Sequence, residues 1–360
     1  MVTNMTRTEK AVKLLNEKNA DALLLVNESN MHYFCNFSPS EGVVLILKNG
    51  EGYHLVDSRY TEVAQENAKE TGLTVIEVNG GFSEKAAEII KNGGVMTIAF
   101  EDETISLKKY EAFSKATGCE FVGVSNTLMR IRNIKESGEL EFMKQANAIA
   151  EKSLTELLNH IEAGKSEKEL KAYFEYLMLK NGSGGVSFDT ILLTGAHTSM
   201  PHGVSDDRII QKGDFVLIDF GATYKGYHSD MTRTFAVGSA TEEMKEMYDL
   251  VLRAQLAGIE ALAPNTRCAD VYKASYDVLN EKDMAQYFRH GLGHGVGLDI
   301  HEGFNASPRS EDIFVPGVMT SIEPGIYLPG KFGIRIEDVL IVTESGNENI
   351  STFTKDFIIL

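Results

Sequence analysis

The chain has 360 residues, which is long enough for two domains of ordinary size, each with its own hydrophobic core. Its 35 Lys and Arg residues against 52 Asp and Glu residues give a formal net charge of −17, which argues against a broad phosphate-binding surface and a nucleic-acid partner. With 43% hydrophobic and 24% charged residues, the composition is that of a folded protein, and no run approaches the ~18 apolar residues of a membrane span.

The N-terminal segment and the cysteines bear on the cellular compartment. Residues 1–10 are polar and lack the apolar stretch of a secretory signal, so we expect a cytoplasmic protein. Cys35, Cys119 and Cys268 are odd in number and far apart, which argues against a disulfide framework and against a thiolate zinc site. We therefore expect the chemistry of this chain to come from oxygen and imidazole side chains.

Helical and strand patterns alternate through the first third of the chain. A helix capped by Thr8 is predicted to precede an apolar strand over residues 22–26. Further strands are predicted over residues 43–47, 53–56, 73–78 and 95–100, with helices after Asp57, Ser83 and Ser106. This alternation predicts an α/β domain over residues 1–131, in which helices cover a sheet. The segment contains no GxGxxG or P-loop pattern and so indicates no nucleotide site.

The pattern changes near residue 132, where we place the domain boundary. A long helix is predicted to begin near Ser137, and a second over residues 166–181 carries the capping box of Ser166 and Glu169. After residue 186 the chain becomes rich in strands, with two more helices at about residues 241–263 and 268–280. Residues 132–360 are therefore predicted to form an α+β domain.

Two predicted hairpins place acidic residues opposite each other. If the first turn is centred on Tyr224 and Lys225, then Asp219 lies opposite Asp230, on one face of the ladder and about 5 Å away at Cβ. A second turn centred on Gly330 places Glu323 opposite Glu337.

These opposed carboxylates are like-charged pairs in otherwise apolar strands. At about 4 Å and an effective dielectric of about 20, each pair repels by roughly 4 kcal/mol. A solvent-facing position explains any one of the acids alone, but it explains the repeated arrangement poorly. We therefore expect a cation nearby, and four carboxylates balance the charge of two divalent ions.

A histidine-rich segment supports the same hypothesis. His290, His294 and His301 fall within twelve residues and are separated by glycines, which let a ligand or backbone approach closely. A core histidine with satisfied hydrogen bonds explains one such residue better than three. One imidazole added to four carboxylates makes a site suited to Mn²⁺, Co²⁺ or Zn²⁺, rather than to copper or an iron–sulfur cluster.

At these residues the sequence closely resembles the metallopeptidases of the pita-bread fold. The resemblance is to the proline-specific branch, the Xaa-Pro aminopeptidases (aminopeptidase P) and the Xaa-Pro dipeptidases (prolidases). Matching stretches lie in order at residues 191–203, 219–234, 290–302, 321–327 and 333–338. The first domain, with Asp-Ser-Arg-Tyr at residues 57–60, resembles the accessory domain of the same branch. The resemblance implies an α/β N-terminal domain of the creatinase/prolidase type, followed by an α+β pita-bread catalytic domain.

The resemblance also implies a set of ligands for two divalent metal ions, with Mn²⁺ as the first expectation and Co²⁺ or Zn²⁺ as alternatives. The implied ligands are Asp219, Asp230, His294, Glu323 and Glu337. Asp230 and Glu337 would bridge the two ions, Asp219 would complete one site, and His294 with Glu323 would complete the other. The implied reaction is hydrolysis of an Xaa-Pro bond by a hydroxide that bridges the ions, either at the N-terminus of peptides or in dipeptides.

Further roles follow from the same resemblance. Glu323 would act as general base and then as general acid, and His301 would donate to the oxyanion that develops on the peptide oxygen. His202 would lie nearby in contact with the substrate, and His290 would line the pocket beside the proline ring.

Two more candidates come from strand spacing. Arg335 precedes Glu337 by two residues and so shares its sheet face, where it could hold either Asp219 or the carboxylate end of a substrate. Tyr327 follows Glu323 by four residues and joins that face if Pro324 and Gly325 do not break the alternation.

Three other functions are compatible with this fold. A creatinase-like amidinohydrolase or an inactive pita-bread binding scaffold would lack the metal ligands, whereas all five are present here. A methionine aminopeptidase usually lacks the N-terminal domain. The expected partner is a proline-containing peptide, the family implies a homodimer, and the length of the peptide is left open.

Overall fold

The protein, described here from a computed structural model, has two compact units, Met1–Arg132 and Asn133–Leu360. The structure describes residues 5–360, so the first four residues of the predicted N-terminal domain and of its polar leading segment lie outside the described part. Among the described residues, no helix has the length and apolar character needed to cross a membrane.

The first unit is built on a mixed six-stranded sheet. Its strands are β1 (Ala22–Leu25), β2 (Gly42–Leu47), β3 (Gly52–Val56), β4 (Thr74–Glu77), β5 (Thr97–Phe100) and β6 (Glu120–Gly123). Its helices are α1 (Arg7–Lys18), α2 (Glu28–Cys35), α3 (Thr61–Thr71), α4 (Phe82–Asn92), α5 (Leu107–Thr117) and α6 (Ser125–Asn133).

The strands of this sheet lie in the order β4-β3-β2-β1-β5-β6. β1, β2 and β3 pair antiparallel, whereas β4, β5 and β6 each join the sheet in parallel. Every residue of β1 and β2 is buried, so both faces of the sheet centre are covered. The α/β class predicted for this part of the chain is confirmed.

The first helix is capped by Thr6 and not by Thr8 as predicted. The Thr6 Oγ1 atom accepts a hydrogen bond from the Glu9 backbone N–H (3.2 Å), and the Glu9 carboxylate accepts one from the Thr6 N–H (2.7 Å). Thr8 has Ala11 three residues further on, so it cannot form this reciprocal capping box.

The second unit combines long helices with antiparallel sheets. Its helices are α7 (Ser137–Leu158), α8 (Glu167–Lys180), α9 (Glu242–Ala261) and α10 (Cys268–Asn280). Its strands are β7 (Ile191–Thr194), β8 (Phe215–Phe220), β9 (Thr223–Tyr224), β10 (Tyr227–His228), β11 (Met231–Ala236), β12 (Gly293–Gly295), β13 (Glu302–Ala306), β14 (Met319–Ile322), β15 (Gly325–Leu328), β16 (Phe332–Arg335), β17 (Asp338–Val342) and β18 (Asn347–Asn349).

The strands form two larger sheets and two short ladders. One sheet has the order β11-β8-β7 and the other β13-β12-β14-β17-β18, while β9–β10 and β15–β16 form two-stranded ladders.

Two helix pairs pack against these strands. α7 and α8 share a core with β8 and β11, as in the contact set of Leu154, Phe174 and Ile218. α9 and α10 share a second core with the strands from β14 to β17. The predicted α+β class is confirmed.

The register predicted for the first hairpin is wrong by two residues. Asp219 pairs with Thr232 rather than with Asp230. The turn lies one residue later than predicted, at Lys225 and Gly226, whose φ values of +51° and +81° suit the tight hairpin turns that match strand twist. Because side chains alternate with a period of two, this shift keeps Asp219 and Asp230 on the same face.

The register predicted for the second hairpin is confirmed on both sides of its acidic pair. β15 and β16 pair with Gly325 opposite Arg335, and β14 and β17 pair with Ile322 opposite Asp338. Glu323 and Glu337 lie between these two ladder segments, which share one register, and therefore face each other.

Candidate metal centre

The five implied metal ligands come from the ends and middles of neighbouring strands in the second unit. Asp219 lies in β8, and Asp230 immediately precedes β11. His294 lies in β12, Glu323 directly follows β14, and Glu337 directly precedes β17. Four of these side chains thus sit on the two acidic strand pairs, and the histidine comes from the adjacent β12.

The polar atoms of these residues converge. One carboxylate oxygen each from Asp230 and Glu337 and one ring nitrogen of His294 lie within 4.8 Å of one another. The His294 Nε2 atom is 3.5 Å from Asp230 Oδ2 and 3.4 Å from Glu323 Oε1. Asp219 joins the group through Arg335, whose Nη2 atom donates to Asp219 Oδ2 at 2.6 Å.

Three of the carboxylates keep one oxygen without a protein partner. Asp219 Oδ1, Asp230 Oδ1 and Glu337 Oε1 are buried and accept no hydrogen bond from any described residue. Buried acceptors are normally satisfied, because leaving one unpaired costs about 1–3 kcal/mol. Together with an imidazole nitrogen, these oxygens form a donor set that fits hard divalent cations.

The electrostatics of the cluster favour the binding of positive charge. Burial raises the pKa of Asp230 well above its usual value, and the negative charges of Asp219 and Glu323 raise it further. Burial likewise raises the pKa of Glu337, and the negative charge of Asp230 raises it further. Burial also raises the pKa of Glu323 to about 8. The Arg335 guanidinium opposes these shifts without cancelling them. The site therefore holds more acidic groups than its own cations balance.

Arg335 and Tyr327 form a connected layer beside the acids. The Arg335 Nη1 atom donates to the Tyr327 hydroxyl at 2.6 Å. His290 Nδ1 lies 2.8 Å from the Gly291 carbonyl and so carries the proton, which leaves Nε2 to accept from the Tyr327 hydroxyl at 3.0 Å. Of the two partners considered for Arg335, the structure places Asp219 there. Tyr327 keeps its place on this face despite the Pro-Gly pair before it.

Two further histidines predicted for the site are His301 and His202, and the first of them lies close to His294. The ring centroids of His294 and His301 are 4.2 Å apart in an edge-to-face arrangement. Burial lowers the pKa of His290 to about 3, and the positive charge of Arg335 adds to that shift, while burial also lowers the pKa of His301. His202 itself lies on an exposed turn after β7.

Two residues that orient the ligands were not singled out from the sequence. The Thr232 hydroxyl donates to Glu337 Oε2 at 2.7 Å and accepts from Arg335 Nε at 3.0 Å. The Ser321 hydroxyl donates to Glu323 Oε1 at 3.2 Å and accepts from the His294 backbone N–H at 3.0 Å. Thr232 follows Asp230 by two residues and Ser321 precedes Glu323 by two, so period-two spacing could have found both.

Comparison with known proteins agrees with the fold of both units. Residues 141–344 match the family model of metallopeptidase family M24, and residues 7–134 match that of the creatinase/prolidase N-terminal domain. The Xaa-Pro dipeptidase of Pyrococcus furiosus is 36% identical over 98% of this chain and 99% of its own length.

Solved structures are similarly close. The Xaa-Pro dipeptidase from Bacillus anthracis superposes with a TM-score of 0.94 at 38% identity and covers 98% of this chain and 99% of its own. The X-Pro aminopeptidase from Thermotoga maritima superposes with a TM-score of 0.92 at 35% identity and covers 98% of this chain and 100% of its own. The chain therefore belongs to metallopeptidase family M24, and its predicted resemblance to the proline-specific branch is confirmed.

Proposed function

We propose that this protein is a two-metal peptidase that hydrolyses the bond between a residue and a following proline. Its metal ligands in this proposal are Asp219, Asp230, His294, Glu323 and Glu337. The proposal is supported by three similar proteins, two of which are named Xaa-Pro dipeptidases and one an X-Pro aminopeptidase.

One observation carries the metal assignment. Buried oxygens of Asp219, Asp230 and Glu337 lack any donor among the described residues, in a cluster where burial and mutual repulsion raise carboxylate pKa values. Divalent cations would satisfy these oxygens and remove the repulsion in one step. An inactive scaffold would have no use for such an arrangement, because the unpaired oxygens destabilise the protein without a ligand.

The chemistry divides between the bound ions and the chain. Two divalent ions supply a water of lowered pKa and polarise the scissile carbonyl when they are bound. Glu323 accepts the proton of the attacking water at a carboxylate oxygen and delivers it to the departing proline nitrogen. His301 donates a hydrogen bond to the developing oxyanion, while His202 contacts the substrate.

The substrate pocket uses the neighbouring layer of side chains. Arg335 orients Asp219, and Tyr327 holds the neutral His290 ring beside the proline of the substrate. An Xaa-Pro bond is a tertiary amide without an N–H, so a pocket that recognises the ring by shape accepts what other peptidases reject.

We leave two substrate lengths within this proposal, a dipeptide or the N-terminus of a longer peptide. Mn²⁺ is the first expected metal, with Co²⁺ and Zn²⁺ as alternatives, since first-row ions compete for such ligands largely by availability. We also propose that the protein is a cytoplasmic homodimer whose two domains divide between residues 131 and 132. Sedimentation measures the oligomeric state, and limited proteolysis tests the domain boundary.

The test is hydrolysis of Ala-Pro and Ala-Pro-Ala by the metal-stripped protein, before and after addition of Mn²⁺, with Ala-Ala-Ala as the matched control. We expect cleavage of a proline peptide only with metal present, and none of the control. Cleavage of the dipeptide alone would define a dipeptidase, and cleavage of the tripeptide an aminopeptidase. If neither proline peptide is cleaved with Mn²⁺, Co²⁺ or Zn²⁺, the proposal is wrong and the scaffold or amidinohydrolase alternative takes its place.

A further inference from the structure

A second polar cluster lies outside the metal centre, at the start of α8. Its members Glu167, His197 and Asp206 place one polar side-chain atom each within 4.8 Å of one another. Glu167 is the first residue of α8 and is completely buried. The other two belong to residues 194–206, named here the His202 loop, which begins at the last residue of β7 and includes the 3₁₀ turn Gly195–Ser199.

The Glu167 carboxylate joins both ends of the His202 loop. Its Oε1 atom accepts from the backbone N–H of Thr194 at 2.7 Å, and its Oε2 atom accepts from that of Asp206 at 2.9 Å. His197 Nδ1 contacts the same carboxylate at 2.9 Å, from inside the loop. One buried side chain thus fixes the loop at its start, its end and a point between.

These contacts make the cluster a clamp rather than a second cation site. Both oxygens of Glu167 already accept N–H groups, and the Asp206 carboxylate is engaged by Arg208 Nε at 3.0 Å. A metal ion would have to displace backbone hydrogen bonds to bind here, whereas the metal centre offers carboxylate oxygens that have no protein donor.

The clamp reaches His202 through close packing. A Cβ atom on Gly203, the residue after His202, would lie 3.2 Å from His197 Nε2 and 2.8 Å from a methyl carbon of Leu193. The backbone next to His202 therefore rests against the His197 ring, whose orientation depends on Glu167.

The same loop is also docked on the strand that carries Arg335. The Gly333 N–H donates to Thr198 Oγ1 at 2.7 Å, and a Cβ atom on Gly333 would lie 2.0 Å from the Thr198 carbonyl oxygen. Gly333 lies two residues before Arg335 in β16. The loop is thereby held between α8 on one side and the strand of the metal centre on the other.

We propose that Glu167, acting through His197, is a positioning residue that holds His202 where it meets the substrate. The inference rests on the proposed function, because it assigns Glu167 a role in substrate binding by that same site. Small displacements of a substrate-contacting group cost about tenfold to hundredfold in rate or affinity, so loss of the clamp should be measurable.

The test is a double-mutant cycle between Glu167→Gln and His202→Ala, with steady-state kinetics on whichever proline peptide the metal-loaded protein cleaves. We expect Glu167→Gln to raise KM about tenfold with little change in kcat, and the double variant to be no worse than His202→Ala alone. Glu169→Gln is the matched control, since Glu169 lies in the same first turn and is an exposed partner of Lys165.

A second readout separates positioning from general damage. Hydrogen exchange over residues 194–206 of the metal-free protein should rise in Glu167→Gln and stay unchanged in Glu169→Gln, while Mn²⁺ affinity stays within about twofold in both. If Glu167→Gln does not fold, His197→Ala is used in its place. This variant keeps the Glu167 carboxylate and its hydrogen bonds to the backbone N–H groups of Thr194 and Asp206. His197→Asn should then have a KM between those of His197→Ala and the parent.

The outcomes distinguish this inference from the proposed function. A parent protein that cleaves neither proline peptide contradicts the function itself. If the parent protein is active, three results would overturn only the role of Glu167. These are a Glu167→Gln variant with unchanged KM, a Glu167→Gln variant in which only kcat falls, and a double variant in which the effects of Glu167→Gln and His202→Ala simply multiply.

Discussion

Two acids of the metal centre divide their oxygens between protein and pocket. Asp219 and Glu337 each present one oxygen to a fixed donor, Arg335 or Thr232, and leave the other without a protein partner. The first bond sets the orientation of the carboxylate, and the second oxygen is then free to bind a ligand without a change of rotamer. Such pre-oriented acceptors are typical of metal sites and explain why unbalanced buried acids persist here.

Removing a ligand and removing an oxyanion donor should have separable effects. Asp230→Ala removes a proposed metal ligand, so metal content after desalting and peptidase activity should be lost together. His301→Gln keeps every proposed ligand, so we expect metal to be retained and kcat to fall about 10²- to 10³-fold. Element analysis and kinetics on the same samples check this, and a fully active, metal-loaded Asp230→Ala protein would contradict the ligand assignment.

The metal-free protein should lose stability between pH 7 and pH 9. The pKa of Glu323 is raised to about 8 in the folded state, against 4.5 ordinarily. Between these two values the folded state binds a proton that the unfolded state does not, so the free energy of unfolding falls with rising pH until the pH has passed 8. The histidines with lowered pKa values, such as His290, are neutral in both states above pH 7 and drop out of the comparison. In EDTA we expect Tm to fall by a few degrees over this interval.

Two controls accompany the pH experiment. Glu323→Gln cannot titrate and should show a shallower decline in Tm over the same interval. Added Mn²⁺ should abolish the decline in the parent protein, because cations bind the deprotonated carboxylates. A parent Tm that does not change between pH 7 and pH 9 without metal would show that Glu323 titrates normally.

At the scale of the elements, the site depends on short strands that are anchored by buried polar groups. The segment between β12 and β13 carries His301, and the next residue, Glu302, forms an ion pair with Lys135 just before α7. The side chains of this pair are 2% and 1% exposed, and the Asp299 N–H donates to the same carboxylate at 3.2 Å. The pair therefore fixes the histidine segment against the start of a long helix.

Breaking that buried pair should destabilise the fold strongly. Lys135→Met leaves the Glu302 charge buried without its cation, which typically costs about 3–5 kcal/mol. Lys144→Met is the matched control in α7, since Lys144 and Glu348 form a pair with side chains 35% and 51% exposed and should contribute less than about 1 kcal/mol. Urea unfolding of both metal-free variants measures the difference, and equal losses would refute the distinction.

At the scale of the whole molecule, the polar cluster and the first sheet belong to different compact units. All five proposed ligands lie in Asn133–Leu360, whereas the six-stranded sheet and its core lie in Met1–Arg132. A ligand stabilises the unit whose folded state binds it, so its effect should be unevenly distributed along the chain.

Hydrogen exchange with and without Mn²⁺ should reveal this division. We expect slower exchange in peptides from residues 215–236, 290–306 and 319–342, which contain the ligand-bearing strands, because bound metal suppresses their local opening. Peptides from β1, β2 and β3 should exchange at the same rate in both conditions and serve as the internal control. Equal protection of both units would contradict a metal site confined to the second.

The sequence by itself determined the class of both units, the faces of the strands and most of the residues that meet in the pocket. Local periodicity reports which side chains share a face, so the two acidic strand pairs were recognisable before any contact was known. A register error of two residues in the first hairpin left that conclusion intact, since the face repeats with the same period.

Only the tertiary structure decided how these faces meet. The choice of Asp219 as partner of Arg335 and the clamp of Glu167 on the His202 loop join residues far apart in the chain, and the pairing of Asp219 with Thr232 depends on the position of the turn between them. Periodicity carries no information on such contacts, because they depend on how sheets and helices pack and on where buried donors find acceptors. The orphaned carboxylate oxygens belong here too, since a missing partner becomes visible only when every neighbour has been placed.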